Sequence, residues 1–561
     1  MKRVAWAWVA VCLVVFPGMA RAAGYWVSEI GPKAIGRGGA FVASPDDPTA
    51  MWLNPAGLSL VPGAQIYVDT SLVRLNQQFT RSCTPSCAPN PYTVDYDGNT
   101  LTVPKHPLIV DGESVIDPYG PNGGFADGDR SGLLLGNKGE GSVGTAVNGR
   151  AGPMQGRFGR WVPFLSMSFN GELLGVPGLG LGAAVYGPNT GGVQYADDGV
   201  QRYSVITSEP FEMFTELAVA YRFNRYIGLG VGLALDRLGT HQRVALSTDK
   251  RGTEAREKDV IVDFAAYENF IPTMMVGFTS NPVAGLHVGG SFLTPRKARA
   301  TGPLKVTPNS NLNDPNDPDS LGLTFDDSHA RAVGYFGSPA AARLGARYDF
   351  APWFDFEVAV VREFWSQMRY VRLDIEGLDA RTTLQPDKPL ALPPTLQPKE
   401  WRDTWSLRAG GDFNVWPGVA TVRAGTFVEE SAIPDRTYDV TVADGRKLGV
   451  STGFTVGYFG LRLVGAWQHV FIEAREITDS RVVSQNPVGV VQNMGGNTVV
   501  ALGRYYQSHD VGSVGVVLDV GEMALRLKGV VSGDRGWWRP EGPRSRTVLD
   551  AGSYLQRSSN F

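Results

Sequence analysis

Gly449-Val-Ser451-Thr-Gly453 has the G-x-S-x-G spacing of a serine nucleophile on a strand-to-helix elbow. That elbow needs the strand to stop at the serine. Here a period-two alternation runs from Leu448 to Val456, so these are read as small lumen-facing residues of one strand. Gly139-Glu-Gly141-Ser-Val-Gly144 matches a dinucleotide fingerprint but lacks a buried strand before it and a helix after it. Asp95-Tyr-Asp97-Gly98-Asn99 begins like a calcium loop, yet His106 stands where the closing glutamate is needed. The six histidines, at 106, 241, 287, 329, 469 and 509, share no metal-ligand spacing. No catalytic residue, metal site or cofactor is expected, and the chain is not read as an enzyme.

Apart from Cys12, the only cysteines are Cys83 and Cys87, in Cys-Thr-Pro-Ser-Cys. An even pair in an exported chain points to a small loop disulfide, whereas zinc would want two more ligands nearby. Export is written in the first residues. Lys2 and Arg3 precede an apolar run from Val4 to Phe16, then Pro17-Gly18 and an Ala20-Arg21-Ala22 cleavage site. The run is shorter than the ~20 residues a membrane-spanning helix needs, so residues 1–22 are read as a signal peptide.

The elements that remain are strands. Formal charge is −3 with pI near 6.1, which supplies no basic field for nucleic acid. Mean hydropathy is −0.11, too polar for helical spans but compatible with a barrel, where only alternate residues meet lipid. Phe211 to Phe223 alternates apolar residues with Glu212, Glu216 and Arg222, and the same period recurs at 343–350 and 405–413. Paired strands across short turns are expected near 161–170 and 178–187, 213–223 and 226–237, and 271–280 and 285–294. Further pairs fall near 341–349 and 353–365, 403–413 and 418–428, and 446–457 and 459–472, with single strands near 64–75 and 507–520. Long polar loops are expected at 188–210, 239–268, 295–339, 366–401 and 429–445, with 76–160 as the first external loop. Aromatics collect at the short turns: Trp161, Phe223, Tyr226, Trp353, Trp416, Tyr458 and Phe459. The expected fold is all-β, a transmembrane antiparallel barrel of about fourteen strands in a cell outer membrane.

Residues 23–60 do not alternate; they are rich in glycine and small residues and precede a barrel wide enough to need filling. Within them stand Ala23-Gly24-Tyr25, Ala34-Ile35-Gly36-Arg37-Gly38-Gly39-Ala40 and Asn54-Pro55-Ala56-Gly57-Leu58. Together with Val162-Pro163, Gly180-Leu-Gly182, Tyr186-Gly187-Pro188, Arg343-Leu-Gly345, Trp401-Arg-Asp403-Thr-Trp405 and Arg423-Ala-Gly425, this order resembles the FadL/TodX outer-membrane transporters of fatty acids and other hydrophobic compounds.

The resemblance implies a hatch at 23–60 that includes Asn54, Pro55 and Ala56, and a ligand pocket bordered by Ala23, Gly24 and Tyr25. The alternating strands place the barrel at 61–520, and the resemblance implies a side portal at a kinked third strand matched by Gly178, Gly180, Gly182 and Pro188. These glycines also read as ordinary small lumen residues. Arg343, Arg347, Arg408 and Arg423 are candidate contacts for a ligand carboxylate, or else partners for hatch carbonyls and carboxylates. The expected partners are hydrophobic small molecules, outer-membrane lipid and the barrel-assembly machinery, with no nucleic acid, and the chain is expected to be a monomer. The competing roles are a general diffusion pore and a structural or adhesive barrel. Residues 521–561 are a C-terminal extension, within which Gly521 to Gly529 reads as another strand or a periplasmic segment.

Overall fold

The computed structural model describes residues 26–81, 93–96, 99–102, 108–110, 113–115, 154–248, 258–309, 312–313, 322–383, 386–390, 395–442, 444–482 and 500–531. The signal segment, Ala23 to Tyr25, and Cys83 with Cys87 lie outside these residues.

The wall starts with β1 (Ala64–Arg81), β2 (Met154–Asn170), β3 (Leu179–Tyr186), β4 (Thr207–Arg222), β5 (Gly228–Ser247) and β6 (Asp259–Ser280). Four strands follow in two pieces each: β7 (Leu286–Leu293 and Arg296–Pro308), β8 (Arg331–Ser338 and Ala341–Ala351), β9 (Phe354–Glu363 and Tyr370–Glu376) and β10 (Thr395–Pro398 and Thr404–Trp416). The wall ends with β11 (Ala420–Glu429), β12 (Lys447–Tyr458), β13 (Leu461–Ile477) and β14 (Gly503–Asp519). Each strand is antiparallel to its sequence neighbours, and β1 pairs with both β2 and β14, so the sheet closes at fourteen strands. Among the described residues no helix is long and apolar enough to cross a membrane.

Alternation in the sequence becomes alternation of faces. In β4, Leu217, Val219 and Tyr221 are exposed on the outside while Phe214, Glu216, Ala218 and Ala220 are buried inside. The same split places Leu229, Leu233, Leu344, Val358, Leu407, Phe454 and Leu463 on the outer surface. Large apolar side chains left exposed on a closed antiparallel wall require a lipid surround.

The wall is taller than the sequence reading placed it. Segments 239–268, 295–339 and 366–401 were expected as loops, but β5 continues to Ser247, β6 begins at Asp259, β7 runs to Pro308 and β8 starts at Arg331. β9 likewise reaches Glu376 and β10 resumes at Thr395. Beyond the lipid the outer face meets water, so outward positions turn polar and the period-two apolar signal fades while the ladder continues. The breaks in β7 to β10 lie side by side at Thr294-Pro295, Pro339-Ala340, Phe364–Arg369 and Lys399–Asp403. A proline cannot donate to a ladder, which accounts for the first two. Above the breaks a second core forms around Trp365, Trp401, Tyr438 and Tyr505 and caps the external end.

Residues 30–61 fill the bore. They form α1 (Pro32–Gly36), α2 (Ala50–Leu53) and a 3-10 turn at Pro55–Leu60, with Ala34, Ile35, Phe41, Met51 and Leu53 fully buried. After β14 the chain turns into α3 (Val520–Val531), a helix where the sequence left a strand open.

Candidate functional site

Charge fixes the hatch to the wall. Arg37, wholly buried, places Nη1 at 2.7 Å from Asp355 on β9 and 2.8 Å from Asp412 on β10, and Nη2 at 3.8 Å from Glu357. Burial works against its charge, but Asp412, Asp355 and Glu357 outweigh it and hold the guanidinium's pKa above the ordinary arginine value. Glu357 in turn accepts from the Val42 and Ala43 amides at 2.6 and 2.9 Å. On the other side Asn54 Nδ2 donates to Val42 O and to Phe278 O on β6, both at 2.9 Å, while its Oδ1 accepts from the Ala56 amide at 3.2 Å. Pro55 and Ala56 press so close to β5 that a Cβ at Gly230 would sit 2.3 Å from the Ala56 nitrogen. Only glycine admits that approach.

Three of the four sequence-selected arginines are taken up by this network of wall and hatch. Arg347 pairs with Asp349 at 2.9 Å and Asp355 at 3.2 Å and donates to Ser44 Oγ. Arg423 pairs with Asp412 at 3.2 Å and donates to Thr455 Oγ1 at 2.8 Å. Arg408 bonds Glu29 and lies 3.5 Å from Glu429. Burial alone would raise the Glu29 carboxyl, but Arg408, Arg343 and the Trp52 indole bring it below the usual glutamate value.

Arg343 differs. Its side chain is 2% exposed, its closest acid is Glu29 at 3.8 Å, and its Nε and Nη1 have no hydrogen-bond partner among the described residues. It lies over the Trp52 ring, 4.9 Å from the centroid, and lines a cavity with Trp26, Glu29, Trp52, Pro188 and Phe427.

Aromatic rings connect this cavity to both the cap and the wall. Trp401, Trp365, Trp26 and Trp52 follow one another at centroid spacings of 5.1, 5.8 and 5.7 Å. The series continues through Phe214, Tyr186, Phe164 and Tyr67 at 5.6, 5.2, 5.1 and 5.6 Å. Edge-to-face and offset contacts of this kind make a continuous apolar surface.

The series reaches the wall where the wall is incomplete. β2 pairs with β3 only from Phe164 opposite Tyr186 to Asn170 opposite Gly180, and β3 pairs with β4 only as far as Tyr186 opposite Phe214. Beyond Tyr186 the chain turns inward at Gly187-Pro188, and Asn189–Thr190 pairs with Trp26–Ser28 inside the bore. It rejoins the wall at Val193–Gln194, opposite Arg157, Thr207 and Ser208. Between these levels β2 and β4 face each other across a gap carrying Pro163 and Pro210, with Arg160 reaching across to the Pro210 carbonyl and lying 3.7 Å from Glu209.

Of the four residues matched to a side portal, only Pro188 lies at the interruption. Gly178 has φ of +83° in the turn before β3, and Gly180 and Gly182 face the hatch, where a Cβ on Gly180 would meet Leu58 O at 2.4 Å. The sequence reading did not single out Arg37, Trp26, Trp52, Arg160 or Pro210. Pro163 and Pro210, both within strand patterns, were the available sign of a broken ladder. Ser451 faces the bore and accepts from Gln468 at 3.1 Å within a continuous strand. Among the described residues no group of three or more metal-ligating side chains comes together.

A closed lipid-facing barrel, stoppered by its own leading segment and interrupted on one side, defines the class of plugged outer-membrane transport proteins. The model of the family described as outer membrane protein transport protein (OMPP1/FadL/TodX) matches residues 155–459, and the chain belongs to that family. Its fold is like that of a Pseudomonas aeruginosa FadL homologue, 17% identical, with TM-score 0.63 over 89% of this chain and 100% of that one. The Pseudomonas putida toluene transporter TodX is 12% identical with TM-score 0.55, covering 88% and 98%. The Ralstonia pickettii toluene transporter TbuX is 13% identical with TM-score 0.52, again over 88% and 98%. No curated protein matches the sequence.

Proposed function

We propose that this barrel takes up amphipathic hydrophobic molecules, long-chain acids before neutral hydrocarbons, and releases them sideways into the membrane. The aromatic series that starts at Trp401 supports this reading, because it runs from the external cap past the hatch to Phe214, Tyr186 and Phe164 at the edge of the gap between β2 and β4. Burial of each CH₂ is worth roughly 0.8 kcal/mol, so a sixteen-carbon tail gains on the order of 12 kcal/mol in a dry site. Release into water would forfeit that gain. Release through the wall keeps the tail in apolar surroundings throughout.

In this scheme residues 1–22 are removed on export and 23–60 act as the hatch of a barrel spanning 61–520, with Tyr25 beside the pocket. Arg343 receives the acid head, since its guanidinium is desolvated and half unpartnered while Trp52 and Trp26 supply the apolar floor. Because Trp26–Ser28 is paired with the inward turn of the interrupted strand, a shift of the leading segment moves the margin of the gap. The role is transport, with no bond made or broken.

Two measurements on purified, reconstituted protein test this. Saturable binding should be tighter for palmitate than for toluene. In planar bilayers intact protein should conduct ions poorly, and deletion of residues 23–60 should open it. Free conductance from intact protein would mark a diffusion pore, and absence of saturable binding to either compound would mark a structural barrel; both results defeat the proposal.

A further inference from the structure

The outer wall carries cations at a height where the surrounding medium is lipid headgroup. On β7 the outward row passes from Phe292 to Lys297, Arg299, Thr301, Pro303 and Lys305, all exposed. Arg299 lies opposite Tyr335 on β8, which lies opposite Arg372 on β9. Arg299 Nε donates to Tyr335 Oη at 3.2 Å, and the guanidinium carbons of Arg299 and Arg372 lie 5.9 and 5.5 Å from the Tyr335 ring. Lys297 is opposite Gly337, which has no side chain to cover it.

Height follows from strand geometry. On β8 the outward apolar row begins with Phe350 at the short-turn end, beside Trp353, and Gly337 is 13 residues above it (350 − 337). At ~3.3 Å per residue and a tilt near 40°, that is about 33 Å along the membrane normal. The apolar band of such barrels is ~25 Å tall. Lys297 and Arg299 therefore stand on the order of 10 Å beyond the hydrocarbon edge, in the headgroup layer of the outer leaflet.

Charge selects the occupant. The upper outward positions of these three strands hold five cations, Lys297, Arg299, Lys305, Arg331 and Arg372, against Asp374 and Glu376. Asp374 accepts from Arg372 at 2.8 Å, and Glu376 is 4.0 Å from Arg299. The surplus is positive, planar donors flank an aromatic ring, and the face is continuous with the lipid-facing belt. We propose that this face is a binding site for the phosphates of the outer-leaflet glycolipid, with Lys297 and Arg299 as its principal contacts.

Native mass spectrometry of the full barrel in detergent, titrated with bisphosphorylated lipid A, tests the assignment. Lys297→Gln/Arg299→Gln should weaken retention at least tenfold. The charge-preserving swap Lys297→Arg/Arg299→Lys should retain it, as should Arg74→Gln, an exposed outward position on β1. Heat-modifiable gel migration confirms that each variant is folded. Undiminished retention by the folded double glutamine variant overturns the site. Equal retention of dephosphorylated lipid A, or of phosphatidylglycerol, overturns the glycolipid phosphate as its occupant.

Discussion

Replacing Arg37 by methionine should unplug the barrel. The guanidinium is the cation shared by Asp355, Glu357 and Asp412, and all four side chains are at most 4% exposed. Its removal does not strand every carboxylate, since Asp355 keeps Arg347 at 3.2 Å and Asp412 keeps Arg423 at 3.2 Å. Two cations then face three acids. Removing one partner from a buried ion pair costs ~3–5 kcal/mol, and the residual pairing points to the low end, about 3 kcal/mol. All of that cost falls on the hatch-closed state, so the open fraction should rise about a hundredfold. Single-channel recording in planar bilayers reads this directly as more frequent openings at fixed voltage. Asp412→Asn added to the methionine variant should restore much of the quiet state, because it removes the surplus negative charge. If Arg37→Met conducts like wild type while remaining folded, the ion cluster does not hold the hatch, and the electrostatic account fails.

Asn54→Ala removes three hydrogen bonds that join the hatch to itself and to β6, so leak should rise about thirtyfold for a loss of ~2 kcal/mol. Arg343→Met should weaken palmitate binding roughly tenfold to a hundredfold while leaving toluene unchanged, as measured by equilibrium binding. In the external segment before β12, burial lifts the Asp444 carboxyl to about 6 despite Lys447, the Ile433 amide and Ser431, which favour the charge. The folded loop thus holds a proton that the unfolded chain, with a pKa near ~3.9, has already lost. Its stability is greatest below pH ~4 and falls as pH rises through ~6. Hydrogen exchange at the Ile433 amide, which donates to Asp444 at 3.1 Å, should therefore quicken from pH 4.5 to 7 beyond the intrinsic rate change, and Asp444→Asn should flatten that trend.

Sequence alone determined the strand count and the sidedness of the wall. Leu217, Val219 and Tyr221 against Glu216, Ala218 and Ala220 is a local signal, because a strand turns each side chain to the opposite face of its neighbour. It also separated short turns from long connections, and the glycine-rich leading segment stood apart for want of any period. Only the tertiary structure decided the rest. The upper halves of β5 to β10 are invisible as strands, because their outer positions lie above the hydrocarbon and no apolar period survives there. The four inward arginines looked alike in sequence, and only register and packing separate Arg343 from the other three. Arg347 and Arg423 find Asp349, Asp355 and Asp412 on their own hairpins, Arg408 reaches Glu29 of the distant hatch, and Arg343 Nε and Nη1 have no hydrogen-bond partner among the described residues. The gap in the wall likewise depends on where β3 stops pairing with β2 and β4, at Tyr186 opposite Phe164 and Phe214, and no local pattern carries a register between separate segments.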